Sequence, residues 1–230
     1  MTIKRKWQLA CLDMAGTTVR DDGLVEEAFT AAIAAEEGMA PGSPGYEEAL
    51  RFVRDTMGQS KIDVFRALLA DEPKAQAANL RFEDAYAALV RAGRIAPIEG
   101  AVEAIEQLRE AGIQVALTTG FARPTQDAIL DALGWRKLVS LALCPGDAGR
   151  GRPYPDMILT AILRLGVSDV RAVAVAGDTP SDIRSGSCAG ASVVAGVLTG
   201  ASKRDALLSA GATHVLDAIT ALPGLLRAAP

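Results

Sequence analysis

The chain has 230 residues, half of them hydrophobic (50%), and a formal net charge of −4. That length buries a proper core as one large domain or as a domain carrying an insert. The acidic balance leaves no basic field to hold nucleic acid or an anionic membrane, so neither is an expected partner.

The start, MTIKRKWQLACLDMAG, is basic like a signal peptide, but Asp13 interrupts its apolar run. No segment approaches the roughly 18 apolar residues of a membrane span. A cytoplasmic protein is expected. WQLACL (7–12) reads as a short buried strand that ends at Asp13. The pattern then turns helical over LVEEAFTAAIAAEEG, YEEALRFVRDTMG, KIDVFRALLA and LRFEDAYAALVRAG, three of which close on a glycine. MAPGSPG reads as a loop between the first two, and IAPIEG (95–100) breaks the rhythm again. From Gly100 onward, helices AVEAIEQLREAG, TQDAILDALG, DMILTAILRLG and SDIRSGSCAG alternate with strands IQVALTT, LVSLALC, RAVAVAG and ASVVAGV. A THVL strand and a terminal helix close the chain. Such alternation is the mark of a parallel sheet covered on both faces. With the first strand added, the expectation is an α/β, Rossmann-like parallel sheet core, residues 1–20 and 97–230, carrying an inserted all-α helical cap domain, residues 21–96.

Open parallel sheets bind ligands outside the carboxyl ends of their strands. Four such ends carry unusual polar residues: Asp13, Thr118-Thr119-Gly120, GRGRPYP (149–155) and GDTPSD (177–182). Each alone is an ordinary turn or cap. Together they place Asp13 and Asp178 side by side, and such hard oxygen ligands suit magnesium. Thr119, the Gly120 amide and the Arg152 guanidinium match a tetrahedral phosphoryl group. Asp13 is then the nucleophile that takes the phosphoryl group covalently. Asp182, four residues beyond Asp178, reads either as a carboxylate orienting metal-bound water or as a helix N-terminal charge. Thr17 and Thr18 read as supports of the Asp13 loop, and the lone His214 as structural. Cys11, Cys144 and Cys188, odd in number and without paired metal spacing, read as reduced core thiols.

DxxGT, a strand-end Thr-Gly, a basic residue and GDxxxD, in this order over nearly the whole chain, resemble the haloacid dehalogenase superfamily of aspartyl-phosphate hydrolases. The superfamily's usual second aspartate, the acid that protonates an alcohol leaving group, is Ala15 here. This Asp-x-Ala-Gly-Thr opening, the arginine of GRPYP and the segment DTMGQSK (55–61) resemble the phosphonoacetaldehyde hydrolase (phosphonatase) family and its phosphonatase-like relatives. The resemblance implies that Lys61 forms a Schiff base with a substrate aldehyde. It also implies that Ala15, Met57, Thr119, Gly120 and Arg152 surround the substrate and its phosphoryl group. Asp13, Ala15, Asp178 and Asp182 then surround Mg2+, and a homodimer forms through cap helices.

The chemistry binds these departures together. Breaking a carbon–phosphorus bond releases a carbanion, which an acid beside an ester oxygen does not help, whereas a protonated imine at Lys61 accepts the electron pair as an enamine. To attack, Lys61 must be neutral, which burial or a nearby cation favours. Pattern alone reads Lys61 as an exposed lysine at a helix start. Two places differ from the phosphonatase pattern, Val64 for a histidine and Phe121 for a tyrosine. They point to the phosphonatase-like branch, acting in phosphonate catabolism on phosphonoacetaldehyde or a close analogue such as 1-hydroxyphosphonoacetaldehyde. The alternatives are a phosphate-monoester phosphatase of the same superfamily and a non-catalytic phospholigand-binding protein.

Overall fold

All five residues of β1 (Leu9–Asp13) are buried, which explains why LACLD is apolar without alternation: the strand lies inside a sheet covered on both faces. Residues 7–228 are described by the computed structural model, and the expected core segments 1–6 and 229–230 lie outside them. The other strands are β2 (Gln114–Thr118), β3 (Leu141–Leu143), β4 (Val173–Gly177), β5 (Val193–Val197) and β6 (His214–Leu216). They form one parallel sheet in the order β3-β2-β1-β4-β5-β6, the Rossmann-like arrangement the alternation predicts. The order changes direction between β1 and β4, and that switch opens a crevice at their carboxyl ends. Asp13 is the last residue of β1, opposite Thr118 of β2, and Asp178 follows the last residue of β4.

Between β1 and β2 the chain forms four helices: α1 (Leu24–Ile33), α2 (Pro44–Asp55), α3 (Lys61–Leu69) and α4 (Glu72–Arg91). Helix α4 begins earlier than LRFEDAYAALVRAG suggests. The Asp71 carboxylate accepts from the Lys74 amide at 3.0 Å and a proline sits in the first turn, two devices that start a helix. The chain's two crossings between sheet and helices run side by side, with Arg20 N–H donating to the Ala96 carbonyl at 2.9 Å and Ile98 N–H to that of Thr18 at 3.0 Å. Aromatic rings tie the helices to the sheet. Phe29 stacks on Phe65, Phe65 meets Phe82 edge-on, and Phe82 and Tyr86 pack on Phe121 from the loop after β2.

The remaining helices are α5 (Ala101–Glu110), α6 (Arg123–Ala132), α7 (Asp156–Arg164), α8 (Pro180–Cys188), α9 (Arg204–Ser209) and α10 (Leu222–Ala228). LVSLALC yields only the three residues of β3: the Leu138 amide closes a 3-10 turn onto Trp135 at 2.9 Å, and of the residues between, the Ser140 amide already reaches the Val115 carbonyl of β2 at 2.8 Å. The cysteine expectation needs a correction. Cys11 and Cys144 are buried, but Cys188 is exposed as the last residue of α8, before the chain re-enters the sheet at β5. All three are free thiols, and burial pushes Cys11 up to about 12. Among the described residues no helix is long and apolar enough to cross a membrane.

Candidate active site

The loop after β1 turns because its residues are small. Gly16 has φ +86°, a left-handed conformation, and a Cβ there would lie 2.6 Å from Asp178 Oδ2. Thr18 hydroxyl donates to the Asp13 carbonyl at 2.8 Å and Thr17 hydroxyl to Asp178 Oδ1 at 3.2 Å. Both threonines therefore support the loop as expected, and Ala15 sits in it with no proton to give.

Arg152 organises the floor. Its Nη1 lies 2.7 Å from Asp13 Oδ1, its Nε 2.9 Å from Asp182 Oδ1, and its Nη2 donates to Thr118 Oγ1 at 2.8 Å. The side chain is almost wholly buried, 3% exposed. Burial works against the charged guanidinium, yet Asp182 and Asp13 outweigh it and raise its pKa. The Asp182 carboxylate also accepts from the Thr179 amide at 3.1 Å and its hydroxyl at 2.5 Å, while that hydroxyl accepts from the Asp182 amide at 3.4 Å. Asp182 is thus a capping-box residue of α8 and a partner of Arg152 at once.

Oxygens of Asp13, Asp178 and Asp182 all lie within 4.8 Å of one another. Three buried carboxylates against one guanidinium carry excess negative charge when all are ionised, and each then repels the others. Burial first, then Asp182, pushes Asp178 up to about 7, although the Ala201 amide donates to it at 2.7 Å. Burial likewise holds Asp13 well above the usual carboxylate range, with Arg152 opposing and Asp182 and Asp178 adding to the rise. This is a set of hard oxygen donors that fits a divalent cation such as Mg2+.

Above the floor, Lys61 opens α3. Its amide donates to the Gly120 carbonyl at 3.2 Å, and a Cβ at Gly120 would run into the Gln59 carbonyl, so only glycine lets the two segments meet this closely. The amine lies 5.5 Å from the Phe121 ring centre and 5.9 Å from that of Phe82. Ring faces favour an ammonium by about 0.5–2 kcal/mol. Burial is the larger effect and lowers the Lys61 pKa, against the opposing pull of Asp21 and Asp13. The residue keeps some surface, but its amine end is enclosed.

Floor and roof share one cavity of about 30 Å³. Eight of the nine expected site residues line it: Asp13, Ala15, Met57, Lys61, Thr119, Gly120, Arg152 and Asp178. Asp182 stands behind Arg152 and does not. Val64 and Phe121 are buried side chains that bring no ionisable group. Sequence reasoning passed over Asp21, which lines the cavity, and Glu83 and Tyr86, which back it from α4. Glu83 Oε2 accepts from the Thr125 hydroxyl, while Glu83 Oε1 and the Tyr86 hydroxyl are buried without a hydrogen-bond partner among the described residues. Their spacing, three apart on one helix, was a signal that α4 turns a polar edge inward.

A haloacid dehalogenase-like hydrolase family model matches residues 7–190. A phosphonoacetaldehyde hydrolase from Bacillus cereus is 33% identical over 175 residues, 69% of this chain and 66% of that protein, so the match spans just under two thirds of the relative. A phosphonoacetaldehyde hydrolase-like protein from Syntrophobacter fumaroxidans is 32% identical over 203 residues, 82% of this chain and 72% of its own. In fold, the chain is similar to a hydrolase from Pseudomonas syringae, with a TM-score of 0.83 at 22% identity, covering 97% of this chain and 100% of that one. With the family model spanning most of its length, the chain belongs to the haloacid dehalogenase-like hydrolases.

Proposed function

We propose that the protein hydrolyses the carbon–phosphorus bond of phosphonoacetaldehyde, or of a close analogue such as its 1-hydroxy derivative, using Lys61 and Asp13 on opposite sides of one cavity. The observation that carries this reading is the enclosed Lys61 amine of lowered pKa in the same 30 Å³ space as Asp13, beside an alanine where an ester hydrolase needs an acid.

Neutral Lys61 Nζ adds to the aldehyde carbon, one proton is taken up and water leaves, forming a protonated imine two carbons from phosphorus. An oxygen of Asp13 then bonds phosphorus, and the carbon–phosphorus pair moves into the imine, which becomes an enamine. Arg152, already bound to Asp13 and Asp182, holds the carboxylate in place and offers positive charge to the phosphoryl oxygens. The Thr119 hydroxyl and Gly120 stand at the end of β2 to orient the group in transfer, and Met57 closes the apolar side. Protonation of the enamine carbon and hydrolysis of imine and acyl phosphate release acetaldehyde and phosphate. Asp13, Asp178 and Asp182, with the Ala15 segment, are the residues that would hold Mg2+. Bound there, the ion offsets repulsion between the carboxylate and the phosphoryl oxygens.

The substrate is larger than the cavity, which has room for about one water molecule. We assign entry to a movement of α1–α4 away from the sheet, for which the paired crossings at Arg20 and Ala96 are the hinge. The same kinship favours a homodimer joined through these helices, which the mass in solution checks. A substrate panel tests the function. Magnesium-dependent phosphate release is expected from phosphonoacetaldehyde or its 1-hydroxy derivative and not from phosphoglycolate or sugar phosphates; the reverse preference would make the protein a phosphate-monoester phosphatase.

A further inference from the structure

Imine formation needs a group that moves protons at the Lys61 end, and this inference rests on the function proposed above. Five cavity-lining residues ionise: Asp13, Asp21, Lys61, Arg152 and Asp178. Asp13 attacks phosphorus, Lys61 attacks carbon, Arg152 stays charged between two carboxylates, and Asp178 belongs to the acidic cluster. Asp21 remains. We propose that Asp21 is the acid–base group of the imine half-reaction, a role nothing else lining the cavity is free to take.

The carboxyl is held in position. Asp21 Oδ1 accepts from the Val25 amide at 3.1 Å at the start of α1, and the second oxygen takes no hydrogen bond from the described residues. Burial raises the Asp21 pKa, so its proton persists to higher pH than on an exposed carboxyl; Lys61 opposes the rise, and Glu26 and Asp22 add to it. The Asp21 carboxyl shares the cavity with the Lys61 amine and, like Asp13, opposes the effect of burial on it. Glu83 does not line the cavity and already accepts from the Thr125 hydroxyl.

The proton count closes. As Lys61 Nζ bonds the carbonyl carbon, the protonated Asp21 carboxyl gives its proton to the oxygen, then takes one back from the nitrogen. It gives that proton to the hydroxyl, which leaves as water while the nitrogen pair forms the C=N bond. The products are an iminium and a carboxylate, whose mutual attraction offsets part of the cost of creating charge in an enclosed space.

The competing account is that Asp21 only caps α1. An asparagine keeps the oxygen that accepts from Val25 but has no proton to trade, so Asp21→Asn separates the two. The test is rapid-mix borohydride trapping of the full-length, Mg2+-loaded protein with phosphonoacetaldehyde, across pH. Asp21→Asn is expected to slow adduct formation at Lys61 by about 100-fold, the usual scale of general acid–base catalysis. It also abolishes the limb of the wild-type profile that falls as pH rises through the Asp21 pKa. Asp21→Glu recovers part of the rate, the exposed neighbour variant Asp22→Asn traps like wild type, and unchanged thermal unfolding of Asp21→Asn shows that the cap survives. An Asp21→Asn protein that traps at the wild-type rate with the wild-type pH profile overturns the assignment. Failure of the wild type to trap during turnover is a different result and removes the imine reading itself, and this role with it.

Discussion

The two ends of the cavity are built by opposite means. At the sheet end charge answers charge: one buried guanidinium lies 2.7 and 2.9 Å from Asp13 and Asp182, and threonine hydroxyls and amides donate to Asp178 and Asp182. At the helical end Lys61 forms no ion pair with the described residues: the rings of Phe82 and Phe121 flank its amine, and the Asp21 carboxyl shares the cavity without bonding it. Burial disfavours the charged form at both ends, and so raises Asp13 and Asp178 but lowers Lys61. Under the proposed function, the difference teaches how one space would serve two reactions: partners hold the Asp13 carboxylate in line for phosphorus, while the lack of an ion pair leaves the Lys61 amine free to be neutral and nucleophilic.

Asp13→Asn should erase the comparison altogether. Phosphate release from every substrate falls by about 10⁴-fold or more, because the group that accepts phosphorus serves any leaving group. Lys61→Ala should split it. Turnover of the aldehyde phosphonate drops by a factor on the order of 10³ or more, equivalent to about 4 kcal/mol of barrier. Any slow release from a phosphate monoester stays unchanged. Equal losses on both substrates would mean that Lys61 acts through packing or charge and not as an electron sink.

The sheet end was largely legible before the structure. Asp13, Thr119 and Asp178 stand at strand ends, where an apolar run stops abruptly at a polar residue, and Arg152 lies in the loop that follows β3; parallel sheets gather such ends at one rim. The helical end was legible in Lys61 and Met57 only through family resemblance, since a lysine at a helix start is ordinary. Asp21 carried no sequence signal of its own, because an aspartate just before a helix is ordinary, and only the fold shows that it lines the cavity while accepting from the Val25 amide. The start of α4 and the shortness of β3 depend on a single cap and a single turn, and Cys188 is exposed because α8 ends at it. None of these three follows from hydrophobic period.

Subtler measurements sharpen the contrast. Asp178, raised to about 7 from an ordinary 3.8, binds its proton more tightly in the folded chain than in the unfolded one. Its contribution to the stability of the metal-free protein is therefore fully present below pH 3.8 and lost as pH rises to about 7. Thermal unfolding without metal should show that loss, and added Mg2+ should restore stability at the alkaline end, where the carboxylates are ionised. The smallest effect is expected at Tyr86→Phe, which deletes a buried hydroxyl that has no partner among the described residues. Stability should be unchanged or rise by about 1 kcal/mol, with turnover preserved. A loss of activity there would assign the Tyr86 hydroxyl a role beside Lys61 and Asp21.

The central claim is that the organic half of the substrate is held covalently by the roof while the floor takes phosphorus. Borohydride quenching of the Mg2+-loaded protein during turnover of phosphonoacetaldehyde, followed by peptide mass analysis, tests it directly. The account predicts an ethyl group on Lys61, the reduced remnant of the acetaldehyde imine left after phosphorus departs. Steady phosphate release with Lys61 unmodified, or with the adduct on another lysine, would contradict it.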